Sequence, residues 1–286
     1  MRFPAELVPR IPRPARAVIR NVVWTYGHAT SFARALPDFL IIGAQKAGTT
    51  ALYSYLRRHP EIGGPAWKEV SYFDRHYRRG TGWYRGQFPF RSDGRIAGEA
   101  SPGYLFHPLA PERVKETVPD AKLIVLVRNP VERALSHYHH EVALGREPLS
   151  FEQAIEAEPE RTRGEEERLV REPGYFSHAW WDYTYLARGR YAEQLERWFA
   201  VFPREQLLVL ASEEMAAEPA QTFARVLDFV GAAPHRLDSF PRVYRQSYAE
   251  MRPETRRRLE AEFAEPNTRL YELLGRDFPW QFDASQ

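Results

Sequence analysis

A doubly wound parallel α/β sheet flanked by helices is the fold class this 286-residue sequence predicts, on three observations. Short apolar runs bounded by turn signals recur at 38–42 ("DFLII"), 95–99 ("RIAGE"), 122–127 ("KLIVLV") and 206–210 ("QLLVL"). Runs without polar alternation suit strands buried on both faces of a parallel sheet. Segments of helical period separate them, at 49–58, 110–117, 130–144, 151–159, 180–200 and 219–230, and strand–helix–strand repetition implies right-handed crossovers. Finally, the first strand runs directly into a glycine-bounded loop and a helix.

Composition sets the outer limits. Hydrophobic content of 43% and charged content of 27% are those of a soluble globular protein. The length is close to the most that one core supports, so a single domain over 37–286 is expected, preceded by a basic N-terminal arm over 1–36. Net charge of +2 is too small to suggest a nucleic-acid partner. With no cysteine, disulfides, thiolate zinc sites and cysteine nucleophiles are all excluded. The opening "MRFPAELVPRIPRPARAVIRNVVW" is interrupted by prolines, Arg16 and Arg20, so it forms neither a signal-peptide core nor a bilayer span. A cytoplasmic protein is expected, with the arm either docked or lying on an anionic membrane as a basic amphipathic helix. Of 40 basic residues only Lys46, Lys68, Lys115 and Lys122 are lysines, and heavy arginine use suggests a bacterial source.

The loop Gly43–Ala44–Gln45–Lys46–Ala47–Gly48–Thr49–Thr50 follows the first strand. It gathers backbone N–H groups, a helix N-terminus, two hydroxyls and a lysine around one point, a cradle for a phosphate-like anion. The arrangement is P-loop-like but departs from G-x-x-x-x-G-K-[ST], because Thr49 follows Gly48. Where an acidic Mg²⁺ ligand would follow the strand 122–127, Arg128 stands instead, and no metal is expected. Asn129, Pro130 and Glu132 then signal a helix start. Arg128 leaves the strand's carboxyl end, and Arg133, Ser136 and His140 follow on one helix face. Arg128 with Ser136 can grip a second anion. Further along, 156–173 ("EAEPERTRGEEERLVREP") reads as a helix end and a charged loop, and the tail as two helices separated at Pro266 and stopped by Gly275. Among the aromatics, Trp67 and Trp83, the latter in a glycine-rich loop, are the candidates for stacking on a sugar.

"PDFLIIGAQKAGTTALYSYLRRHPEI" followed by "KLIVLVRNPVERALSHY" resembles the nucleotide-binding segments of the sulfotransferases that use 3′-phosphoadenosine 5′-phosphosulfate (PAPS), most closely the carbohydrate branch that includes the heparan sulfate enzymes. The likeness continues through "KEVSYFD" (68–74), "GEASPGYL" (98–105), "RGRYAEQLERWFAVFPREQLLVLASEEM" (188–215) and "LLGRDFPW" (273–280), spanning about 37–282 in register.

That resemblance implies that Gln45, Lys46, Ala47, Gly48, Thr49 and Thr50 hold the 5′-phosphosulfate, and Arg128 and Ser136 the 3′-phosphate. It implies in-line transfer in which Lys46 stabilises the leaving group and Glu69 is the general base. Lys68 would assist, and His140 matches a histidine near the acceptor in the N-sulfotransferase branch. The implied acceptor is a glycan or glycolipid offering a hydroxyl or an amine. Three features depart from the family: Ala100 stands where an active-site lysine is common, the C-terminal cysteine pair is absent, and the basic loop over the 3′-phosphate is reduced to "RVYRQSYAEM", with Arg242, Tyr244 or Arg245 as substitutes. The competing readings are a P-loop kinase of a small molecule and a catalytically inactive carbohydrate-binding protein on the same scaffold.

Overall fold

A computed structural model describes residues 22–241 and 251–280. Five parallel strands form the centre: β1 (Phe39–Gly43), β2 (Ile62–Gly63), β3 (Ile96–Ala100), β4 (Lys122–Val127) and β5 (Leu207–Ala211). Their order is β2-β3-β1-β4-β5, with Leu40 beside both Glu99 and Leu123 and with Val125 beside Val209. Every residue of β1 and Leu123–Val127 of β4 are buried, which is why these strands are apolar throughout. The connection from β1 runs to one edge of the sheet and that from β4 to the other, opening a crevice between their carboxyl ends.

The α-helices that follow β1 are α1 (Thr49–Leu56), α2 (Gly80–Arg85), α3 (Ala110–Thr117), α4 (Pro130–Ala143), α5 (Phe151–Arg161), α6 (Glu165–Arg171), α7 (His178–Asp182), α8 (Tyr191–Phe199), α9 (Ser212–Ala217), α10 (Pro219–Val230) and α11 (Pro253–Leu274). All four expected strands are present within a residue of their expected bounds. β2 was not expected, because two residues carry no periodicity; it is defined by its pairing with Ile96 and Ala97.

Three expectations are corrected. The single helix expected over 180–200 is two, α7 and α8, with a turn at Ala187–Gly189. Gly189 passes so close to Phe263 and Pro130 that a Cβ there would lie 2.8 and 3.0 Å from their atoms, so tertiary packing sets this break. The charged loop expected within 156–173 is mostly helical: α5 begins with a Ser150–Gln153 capping box, and buried Glu158 accepts from the Leu186 and Ala187 amides at 2.7 and 2.9 Å. Nor does Pro266 divide the tail. α11 runs through it, because Phe263, Pro266, Asn267 and Leu270 are buried on one face while Arg269 grips Glu196 of α8. That packing outweighs the loss of one helical hydrogen bond.

Of the expected arm, residues 1–21 lie outside the described residues. The part that is described touches the domain through Trp24, edge-on to Trp83 at 5.7 Å, and Arg34, which donates to the Phe88 carbonyl at 2.6 Å, while Val22, Tyr26 and Phe32 stay exposed. Among the described residues no helix is long and apolar enough to cross a membrane.

Candidate active site

The crevice between β1 and β4 is lined first by the loop that leaves β1. The Ala44 amide donates to the Leu126 carbonyl at 2.7 Å, tying the start of the loop to β4. Lys46 and Gly48 then take left-handed backbone conformations, with φ of 71° and 93°. Gly48 fits that geometry without strain. Lys46 does not, and a non-glycine residue there persists only where its surroundings hold it. One such hold is visible: Arg128 Nη1 donates to the Lys46 carbonyl at 3.2 Å. α1 begins at Thr49 with no side-chain cap, so its first amides face the loop. Ala47 and Thr49 are buried, whereas Gln45, Lys46, Gly48 and Thr50 are half-buried.

The electrostatics fit an anion in this cradle. Burial, and then the neighbouring Arg128, hold the Lys46 ammonium below the usual lysine range. Among the described residues no carboxylate lies within ion-pair distance of either cation. Two half-buried positive charges side by side are costly to the apo protein, and a bound phosphate or sulfate group would reverse that cost. The residues present therefore fit a phosphosulfate donor.

The second segment begins at the end of β4. The Arg128 carbonyl accepts from Tyr191 Oη at 2.9 Å, and Asn129 Oδ1 caps α4 by accepting from the Val131 and Glu132 amides at 3.0 and 3.3 Å. Ser136 is buried along α4. Arg133, adjacent on the helical face, is wholly buried and donates to the Tyr185 carbonyl, so it is a structural group under the site. His140 is half-buried; burial, Lys46 and Arg146 lower its pKa, with Glu69 opposing them.

Glu69 stands on the loop before the turn Tyr72–His76. Its side chain is half-exposed, and Lys68 Nζ pairs with Glu69 Oε1 at 2.8 Å. The Glu69 charge acts on both Lys46 and His140, in each case opposing the fall that burial causes. Trp67, partly exposed, adjoins Lys68. Trp83 is not brought there: it is 7% exposed, within a cluster formed by Trp24, Tyr72 and His76. The glycines flanking it suggested an open loop, but residues 80–85 form α2 and turn the indole inward. Arg242, Tyr244 and Arg245 lie outside the described residues.

Reading the sequence missed what lies beneath the Glu69 loop. Glu99 at the end of β3 is wholly buried and accepts from Tyr84 Oη at 2.6 Å, Ser101 Oγ at 2.7 Å and Tyr104 Oη at 2.9 Å. An acid inside an otherwise apolar strand, with a serine and a tyrosine soon after it, was the available signal.

A comparison with known families matches residues 36–261 to the sulfotransferase domain. Human "Heparan sulfate glucosamine 3-O-sulfotransferase 6" is 32% identical over 278 residues, covering 86% of this chain and 74% of that protein. "Membrane-associated sulfotransferase kil1" of Dictyostelium discoideum is 30% identical over 315 residues, covering 86% and 67%. Among solved structures, a sulfotransferase from Alicyclobacillus acidocaldarius superposes with a TM-score of 0.69 at 35% identity, over 85% of this chain and 98% of that one. A P-loop-like α/β sheet with a cationic cradle at its switch point is thus the scaffold of a group-transfer enzyme. The chain belongs to the sulfotransferase family, in its carbohydrate sulfotransferase-like branch.

Proposed function

We propose that this enzyme transfers a sulfuryl group from PAPS to a hydroxyl or amine of a carbohydrate or glycolipid acceptor. The observation that carries the reading is the juxtaposition of Lys46 and Arg128 in the β1–β4 crevice, without a carboxylate partner among the described residues. The named substrates of the heparan sulfate relatives support a glycan acceptor.

The donor supplies a sulfur centre activated by its anhydride link to phosphate. The cradle Gln45–Thr50 would hold its 5′ end through loop amides, hydroxyls and Lys46, while Arg128 and Ser136 would take its 3′-phosphate. Glu69 accepts the proton that the acceptor's nucleophilic atom loses as that atom bonds to sulfur. Lys46 donates a hydrogen bond to the bridging oxygen, which keeps the electron pair of the broken S–O bond. Lys68, already paired with Glu69, orients the carboxylate, and His140 and Trp67 offer contacts to the acceptor. Alignment and charge stabilisation are what such a transfer chiefly requires.

The test uses the full chain with radiolabelled sulfate donor, a panel of glycans and glycolipids, and ATP with Mg²⁺ as the kinase control. Donor-dependent labelling of a glycan that falls at least a hundredfold in Glu69→Gln is expected. Labelling from ATP alone, or an unaffected Glu69→Gln, would sink the proposal. Calorimetry with adenosine 3′,5′-bisphosphate separately tests the nucleotide site.

A further inference from the structure

Glu69 is exposed and its carboxylate pairs with the neighbouring Lys68, yet its backbone sits at a φ of 63°, followed by Ser71 at 50°. Two non-glycine residues in left-handed conformations one residue apart need an outside restraint. α1 and α4 do not provide it; the restraint comes from below. The Ser71 amide donates to Ser101 Oγ at 3.0 Å, and the Tyr72 amide donates to Tyr104 Oη at 2.8 Å. Both hydroxyls, having accepted those amides, donate onward to Glu99. Tyr84 Oη, from α2, supplies the third donor.

The direction of each bond matters. A hydroxyl that accepts an amide proton must send its own proton elsewhere, and the Glu99 oxygens, which accept from three hydroxyls and the Val70 amide against the upward push of burial on the carboxyl pKa, fix where both go. Glu99 therefore orients Ser101 and Tyr104 as acceptors for two consecutive amides that no helix or strand uses. Its own place is fixed too, because it is paired in register with Leu40 of β1, the strand that leads into the Lys46 loop. The nucleotide cradle and the base loop thus share one rigid strand pair.

We infer that Glu99, through Ser101 and Tyr104, is the positioning residue for Glu69, clamping the Glu69–Tyr72 turn so that the carboxylate meets the acceptor at a fixed distance from the Lys46 cradle. The inference rests on the proposed role of Glu69 as base. Glu99 itself, sealed from solvent, touches neither donor nor acceptor.

Glu99→Gln keeps the volume but puts an N–H₂ group against hydroxyl donors, so one of the two relays must reverse. Ser101→Ala removes the Ser71 relay alone and secures the test if Glu99→Gln folds poorly. Both are expected to lower kcat ten- to hundredfold while leaving bisphosphate affinity within twofold. Amide hydrogen exchange at residues 70–72 should accelerate at least tenfold, with β1 and β4 unchanged. In the Glu69→Gln background, Glu99→Gln should cost no further activity, because the group it positions is gone. Equal exchange at 70–72 in parent and variants, or full additivity with Glu69→Gln, would overturn the inference. If the parent binds no bisphosphate, the sulfotransferase mechanism fails, and the exchange experiment still decides whether Glu99 clamps the turn.

Discussion

Lys46 combines two opposed features, a strained backbone and an unneutralised charge, and replacing it separates them. Lys46→Ala removes the ammonium and keeps the left-handed backbone; Lys46→Gly removes both. In activity the two should behave alike. Losing one preorganised donor to a developing negative charge costs about 10²–10³ in kcat, roughly 3–4 kcal/mol. In stability they should diverge. A non-glycine residue at a φ of 71° carries about 1–2 kcal/mol of strain, and glycine's freer unfolded chain returns about 0.4–1 kcal/mol of that. The net gain for Lys46→Gly over Lys46→Ala is about 0.5–1 kcal/mol, a Tm rise of about 1–3 °C for a chain of this size. Both variants also shed the repulsion between Lys46 and Arg128, so neither should melt below the parent. Differential scanning calorimetry and single-turnover sulfate transfer are the assays. Transfer by Lys46→Ala within tenfold of the parent would refute the electrostatic role. A glycine variant no more stable than the alanine one would refute the strain.

The remaining predictions concern charge. Arg128→Lys forfeits the bond to the Lys46 carbonyl and the two-pronged grip on a phosphate, so calorimetry should show bisphosphate affinity lowered about 10- to 100-fold; an unchanged affinity would place the 3′-phosphate elsewhere. Because Lys46 is held below its usual range in the apo protein and an anion would raise it again, bisphosphate binding should take up protons and weaken as pH climbs through the apo pKa of Lys46; the reverse slope would remove Lys46 from the site. Burial pushes the Asp74 carboxyl up to about 7 from an ordinary 3.8, against the opposing pull of Arg75. The folded state keeps this proton where the unfolded state has lost it, so Asp74 erodes stability as pH rises from about 4 to about 7. Asp74→Asn should flatten that part of the Tm profile and melt several degrees above the parent at pH 8. Parallel profiles would refute it.

Much of the proposed site is legible in the sequence because it is written in contiguous residues. β1, the loop 43–50 and α1 form one uninterrupted stretch, and β4, Arg128 and the Asn129–Pro130 cap form another. Such local signals need only the period of the elements and the backbone freedom of a few residues. The clamp under Glu69 could not be read this way. Glu99, Tyr84 and the amides of Ser71 and Tyr72 lie apart in sequence, and they meet only where α2 and the Glu69 loop fold over the end of β3. Trp83 is the opposite case: its glycine neighbours looked like an open loop, and packing against Trp24 buried it.

The sequence by itself determined the α/β class, the positions of four strands, the loop between β1 and α1 and the family, because apolar runs, caps and loop motifs act over a few residues. The tertiary structure alone decided that α11 continues through Pro266, that 156–173 is mostly helical, and that a buried carboxylate stands beneath the Glu69 loop. Each of those depends on which distant surface a segment meets, and burial against that surface outweighs the local preference of the chain.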